Sequence, residues 1–128
     1  MLLWGSNARA AHPIYFHHVL KGINNGGSMY AVDPRRTDSA KFAETWLGIN
    51  VGSDIALANA LAREIIRSGL HNTEFIEHST TGFDKFADHV EPYTLDFAAS
   101  ATGVDAGAIE DLAPVSYTHL TLPTNREV

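Results

Sequence analysis

Leu2-Leu3-Trp4-Gly5-Ser6-Asn7 is an apolar run that stops at a glycine and two small polar residues, and a helical pattern begins directly after it. The order reads as strand, tight turn, helix. Such a junction aims the N–H groups of a turn and of a helix start at one spot, which attracts a phosphate. Taken alone the stretch is equally compatible with a plain chain reversal. Two later segments, Asp33-Pro34-Arg35-Arg36 and Gly52-Ser53-Asp54, follow apolar runs in the same way and favour the ligand reading.

Outward from that turn, Phe16, Val19, Leu20 and Ile23 fall at helical spacing, and Ile14 widens the stripe. Pro13 suits a first helical turn, and Asn24-Asn25-Gly26-Gly27 supplies residues for a left-handed C-cap, so the pattern predicts a helix from about His12 to Asn24. Met29-Tyr30-Ala31-Val32 is a second strand, ended by Asp33-Pro34. Strand, helix, strand makes a βαβ unit with parallel strands. A short helix over Ser39 to Glu44 and a third strand over Thr45 to Asn50 follow. Ala58, Leu61, Ala62 and Ile65 then repeat the helical spacing, flanked by Ile55 and Ile66, with Ser53 or Asp54 as N-cap and Gly69 as stop. The expected fold is α/β, a Rossmann-like parallel sheet fragment (βαβαβα) whose three strand-to-helix junctions share one edge. Open parallel sheets bind ligands at that edge.

From His71 the strand signal disappears. Thr73 to His78, Gly82 to Val90, Thr94 to Thr102 and Asp105 to Leu112 read as short helices, with Thr81 and Asp84 as a capping box, Thr94 as a cap and Gly103 as a stop. The acidic residues here read as solvated helix faces, not as a catalytic carboxylate pair. Val115 to Val128 shows no helical period, and Ser116-Tyr117-Thr118-His119-Leu120 resembles a translated sequencing adapter. Residues 1–113 are therefore expected to form the domain, and 114–128 a non-native tail.

The 128 residues are 45% hydrophobic, enough for one ordinary core. A formal net charge of -6 disfavours nucleic acid or an anionic membrane as partner, so a phosphate site must be local. The absence of cysteine excludes disulfides, thiolate zinc sites and iron-sulfur ligation by this chain. No apolar run is long enough to span a bilayer, and the start lacks a signal peptide pattern, so the chain reads as soluble. Localisation is left open, with the cytoplasm favoured. Met1 opens directly inside an apolar strand, which predicts further residues before it in the natural protein.

Asp33, at the end of the second strand, is placed to accept hydrogen bonds from ribose hydroxyls, and Arg35 and Arg36 to meet a phosphate. Asp54 offers two oxygens matching the N1–H and N2–H fork of guanine; as a plain N-cap it needs no ligand. The seven histidines lack metal-ligand spacing: His17 and His18 are adjacent, and His71, His78 and His89 have no partner four positions away. A metal site is not expected. G-x-S-x-G, Walker and G-x-G-x-x-G motifs are all missing.

Three ordered segments, 4–13 (Trp-Gly-Ser-Asn-Ala-Arg-Ala-Ala-His-Pro), 32–37 (Val-Asp-Pro-Arg-Arg-Thr) and 52–57 (Gly-Ser-Asp-Ile-Ala-Leu), resemble the pterin-dinucleotide motifs of the molybdopterin oxidoreductase family, most of all its formate dehydrogenase catalytic subunits. The similarity continues through Glu64-Ile65-Ile66, Glu74-Phe75-Ile76, Thr81-Gly82-Phe83 and Glu91-Pro92-Tyr93-Thr94. The resemblance implies a domain that holds the guanosine diphosphate half of a bis(molybdopterin guanine dinucleotide) carrying molybdenum or tungsten. Carried over by motif, Gly5, Ser6 and Asn7 would line the pyrophosphate and pterin side, with His12 near the turn. Asp33, Pro34 and Arg35 would hold the ribose, and Gly52, Ser53 and Asp54 the guanine. The cysteine or selenocysteine metal ligand and the iron-sulfur cluster would belong to the rest of the protein, so this fragment alone is expected to be inactive. Its implied partners are the cofactor, the remaining domains of its own chain and electron-transfer subunits. The alternative is a stand-alone nucleotide-binding or regulatory module of Rossmann type.

Overall fold

The computed structural model of the protein describes residues 1–120, with side chains through Ser116. The chain divides into two compact units, Met1–Val51 and Gly52–Val128.

The first unit is built on three short strands, β1 (Leu2–Trp4), β2 (Tyr30–Val32) and β3 (Thr45–Leu47), in the order β1-β2-β3. Both pairings are parallel, with Leu2 opposite Tyr30, Trp4 opposite Val32 and Val32 opposite Leu47. The expected βαβ unit is therefore present, and the α/β class with it. The helix between β1 and β2 comes in two pieces, α1 (Ala8–Ala11) and α2 (Pro13–Asn24). The break falls at His12, whose φ of -139° is not helical. A proline ring clashes with a helical conformation in the residue before it, which gives the interruption its cause. Leu3, Ala8, Phe16, Val19 and Met29 form the core, with Leu20, Ile23 and Ala43 packed against it. Ile14 does not join the stripe: it is 81% exposed, in the first turn of α2, while burial begins at Phe16. Between β2 and β3 the expected short helix is one 3-10 turn, Ala40–Phe42, and β3 ends at Leu47, short of Asn50.

The second unit is helical: α3 (Asp54–Arg67), α4 (Thr73–Ser79), α5 (Phe83–Val90), α6 (Leu95–Thr102) and α7 (Ala106–Leu120). The α3 helix packs against α5, α6 and α7. Its buried side is Leu57, Ala60 and Leu61 together with Arg63, whereas Ala58, placed on the stripe by spacing, is exposed. The true stripe starts one residue earlier than the sequence pattern indicates, and it admits an arginine that supplies its own hydrogen bonds. Caps follow the expected chemistry at two starts: Asn72 Oδ1 accepts from the Phe75 N–H at 2.9 Å, and Thr94 Oγ1 from the Phe97 N–H at 3.2 Å. The Thr81 and Asp84 capping box does not form. Gly82, with φ of 78°, occupies the N-cap of α5 and has no side chain to offer.

Helix α7 runs past the expected stop at Leu112, through Pro114 and on to Leu120, which corrects the non-helical reading of 115–120. An interior proline removes one helical N–H and costs about 3 kcal/mol. Buried Ile109, Leu112 and Ala113 anchor the helix over the turn before that proline. Residues 121–128 of the expected tail lie outside the described residues. Among the described residues no helix is long and apolar enough to cross a membrane.

Candidate functional site

In the parallel register the carboxyl ends of β1 and β2 are neighbours, so the loops that follow them, Gly5-Ser6-Asn7 and Asp33-Pro34-Arg35, emerge side by side. The Gly5 N–H donates to the Val32 carbonyl at 2.8 Å, which carries the pairing one residue past β1. Gly5 then turns the chain at φ of 57°, a conformation that side chains with a Cβ rarely adopt. Nothing lies within 4 Å of where a Cβ would stand, so the backbone is open to approach.

Asn7 begins α1, and its carbonyl accepts from the N–H groups of Ala10 and Ala11. Its side-chain Oδ1 accepts a hydrogen bond from Ser39 Oγ at 3.0 Å, and Ser39 Oγ in turn accepts from the Arg9 N–H at 2.8 Å. Ser39 is fully buried. These two bonds fasten the loop after β1 to the segment that follows Asp33-Pro34-Arg35. His12 stands at the α1–α2 junction with an exposed ring, and its backbone carbonyl accepts from the Phe16 N–H at 2.9 Å.

Asp33 is only 7% exposed. Its Oδ1 accepts from the Arg35 N–H at 2.8 Å, closing a small turn around Pro34, and its carbonyl accepts from Trp46 Nε1 at 3.0 Å. That bond fixes the indole, which lies so close over Gly48 that a Cβ there would stand 2.8 Å from the ring. The guanidinium of Arg36 sits 5.8 Å from the centre of the same ring, and that of Arg9 sits 5.0 Å from the Phe42 ring. Lys41 lies 2.6 Å from exposed Asp38; its hydrogen bond and charge hold the Asp38 carboxyl below the usual carboxylate range. The first unit thus offers an approachable glycine turn, guanidinium groups resting on rings, and a buried carboxylate in a turn. That is a donor and acceptor set suited to an anion with an attached hydroxylated group.

Gly52, Ser53 and Asp54 open the second unit. Gly52 turns at φ of 86°, Ser53 is the buried N-cap residue of α3, and Asp54 is its acidic first residue. The Ser53 carbonyl accepts from the Leu57 N–H at 3.2 Å. An acidic side chain is favoured there by the helix dipole. Elsewhere in this unit Arg63 is closed on all sides: Nε donates to the Glu91 carbonyl at 2.9 Å, and its terminal nitrogens meet Glu64 at 2.8 Å and Glu91 at 3.2 Å.

Sequence reasoning brought Gly5, Ser6, Asn7, Asp33, Pro34 and Arg35 to one sheet edge, and the strand register does so too. It missed Ser39, Trp46 and Arg9 as parts of that edge. Ser39 reads as a helix start and Trp46 as a strand residue; only their contacts reveal what they hold.

A family described as molybdopterin oxidoreductase matches residues 1–117. The F420-dependent formate dehydrogenase 2 subunit alpha of Methanococcus maripaludis is 38% identical over 113 residues, 88% of this chain and 17% of that protein. The assimilatory nitrate reductase catalytic subunit of Bacillus subtilis is 36% identical over 104 residues, 81% of this chain and 15% of that one. Among solved structures, acetylene hydratase from Pelobacter acetylenicus superposes with a TM-score of 0.78 at 34% identity, covering 88% of this chain and 16% of its own.

Proposed function

The chain belongs to the molybdopterin oxidoreductase family, and on that premise we propose that it binds the guanosine diphosphate half of a bis(molybdopterin guanine dinucleotide) within a larger, formate-dehydrogenase-like oxidoreductase. The observation that carries the reading is the pair of adjacent loops after β1 and β2, one an open glycine turn and the other built on buried Asp33. In this reading the open turn at Gly5 lets the pyrophosphate approach, Ser6 and Asn7 supply donors toward it, and His12 stands nearby. Asp33 accepts from ribose hydroxyls, with Pro34 and Arg35 shaping that loop. Gly52 and Ser53 position Asp54, whose carboxylate accepts from guanine N1–H and N2–H. When bound, the pterin-held molybdenum or tungsten would supply the redox chemistry, and an iron-sulfur cluster would belong to the rest of the protein. The residues of this chain bind and orient the nucleotide end. Formate is favoured as substrate by the resemblance of its motifs to formate dehydrogenases; relatives of similar identity include a nitrate reductase and an acetylene hydratase.

The test is titration of the chain with GDP and ADP before and after Asp54→Asn. The substitution keeps the size and much of the helix-start chemistry but sets an amide donor against the donors of guanine. GDP is expected to bind more tightly than ADP, and Asp54→Asn to weaken GDP by about 1 to 3 kcal/mol. Stability should move by less than about 1 kcal/mol. Equal affinity for the two nucleotides in the unaltered chain would overturn the assignment.

A further inference from the structure

We infer that buried Ser39 sets which end of the Asn7 side-chain amide is presented to the pyrophosphate, which makes Ser39 a positioning residue for the nucleotide. The inference rests on the binding reading above. A serine hydroxyl has one proton and two lone pairs. At Ser39 the Arg9 N–H donates into the oxygen at 2.8 Å, and an N–H cannot accept the hydroxyl proton in return. The side chain is fully buried, so water does not take that proton. The acceptor is Asn7 Oδ1 at 3.0 Å. Were the Asn7 amide turned over, its NH2 group would face an oxygen already receiving one N–H, and the Ser39 proton would be left unmatched in a buried place. Leaving such a group unsatisfied disfavours the turned form by about tenfold to a hundredfold.

The consequence is a fixed polarity. The oxygen of Asn7 is held by Ser39, and the nitrogen, with two donors, is the end that serves a ligand. An anion wants donors, so the buried hydroxyl selects the correct face of a residue that by itself has two. Ser39 is free for this work because, although it precedes the 3-10 turn at Ala40–Phe42, its side chain makes no capping bond there. Asn7 and Ser39 are 32 positions apart and lie in the loops after β1 and β2, so the selection depends on the parallel pairing of those strands.

The experiment follows the Asn7 side-chain amide by 15N-resolved NMR in the whole chain, together with GDP and inorganic pyrophosphate titrations, for the unaltered protein, Ser39→Ala and Asn7→Asp. Both ligands should shift the two Asn7 NH2 resonances in the unaltered protein. Ser39→Ala, which frees the amide to turn and leaves about half of the chains with the wrong end outward, should weaken both ligands by about twofold and reduce that shift. Asn7→Asp keeps an acceptor for Ser39 but removes the donors and adds a negative charge, so affinity should fall by about tenfold to a hundredfold while the chain stays folded. Ser39→Ala with a lowered melting temperature but unaltered affinity and amide shift would overturn the positioning role while leaving the binding reading intact. Unaltered affinity in Asn7→Asp would overturn the positioning role and would also remove Asn7 from the pyrophosphate contacts of the binding reading, while GDP binding through the other loops would stand. Failure of the unaltered chain to bind either probe would overturn the binding reading and this inference with it.

Discussion

The two units use arginine in opposite ways. In the helical unit Arg63 is 7% exposed and enclosed by the Glu91 carbonyl and the carboxylates of Glu64 and Glu91. In the sheet unit Arg36 and Arg9 rest over the rings of Trp46 and Phe42. A guanidinium closed by carboxylates has its donors committed, and its contribution is to stability. One held near a ring spends none of its hydrogen-bond donors on that contact, and its donors remain for an anion. The same residue type is thus structural in one unit and available in the other, and the neighbour decides which.

The largest effect that would sharpen this contrast is expected from Arg63→Ala. Removing the guanidinium leaves half-buried Glu64 and the Glu91 carbonyl without their partner, and urea unfolding should show a loss of about 2 to 4 kcal/mol. A loss below about 1 kcal/mol would show that Arg63 is no more structural than a surface arginine.

Gly48→Ala probes the support on the other side. Its added methyl would stand 2.8 Å from the Trp46 indole, which the bond to the Asp33 carbonyl holds in place. The ring must shift, and a cost of about 1 to 2 kcal/mol is expected from thermal or urea unfolding, together with weaker GDP binding as the Asp33 loop and Arg36 lose their platform.

The smallest change in stability belongs to Arg36→Ala, below about 1 kcal/mol, because an exposed guanidinium on a ring contributes little to folding. GDP affinity should nonetheless fall severalfold. If Arg36→Ala destabilises the chain as much as Arg63→Ala does, the contrast between the units is broken.

The first two strands were legible because each is a short apolar run ended by Gly5 or Asp33-Pro34, and because Pro13 and Gly26-Gly27 bracket the crossover between them. The limits of the helical stripes were not. Ile14 and Ala58 have the right spacing, but periodicity says nothing about where the facing core begins, and both are exposed. The end of α7 is not legible at Leu112, since 115–120 carries no helical period of its own and the burial of Ile109, Leu112 and Ala113 that anchors the helix cannot be seen in a local pattern. The motif glycines and aspartates of the site carry a sequence signature, while Ser39 at the site and Arg63 in the helical unit do not. Each acquires its role from a partner about thirty positions away, Asn7 for one and Glu91 for the other.

The Asn7–Ser39 tie also imposes an order in time. Asn7 is made early and Ser39 only after β2, so the growing chain carries the glycine turn well before it can set the Asn7 amide. The tie closes when β1 and β2 have found their register and the segment beyond Asp33 has folded back beside them. A nascent chain cut before Ser39 would leave the Asn7 amide free in both orientations. On the binding reading, competence to retain a nucleotide would therefore arise late in folding, after the two strands have paired.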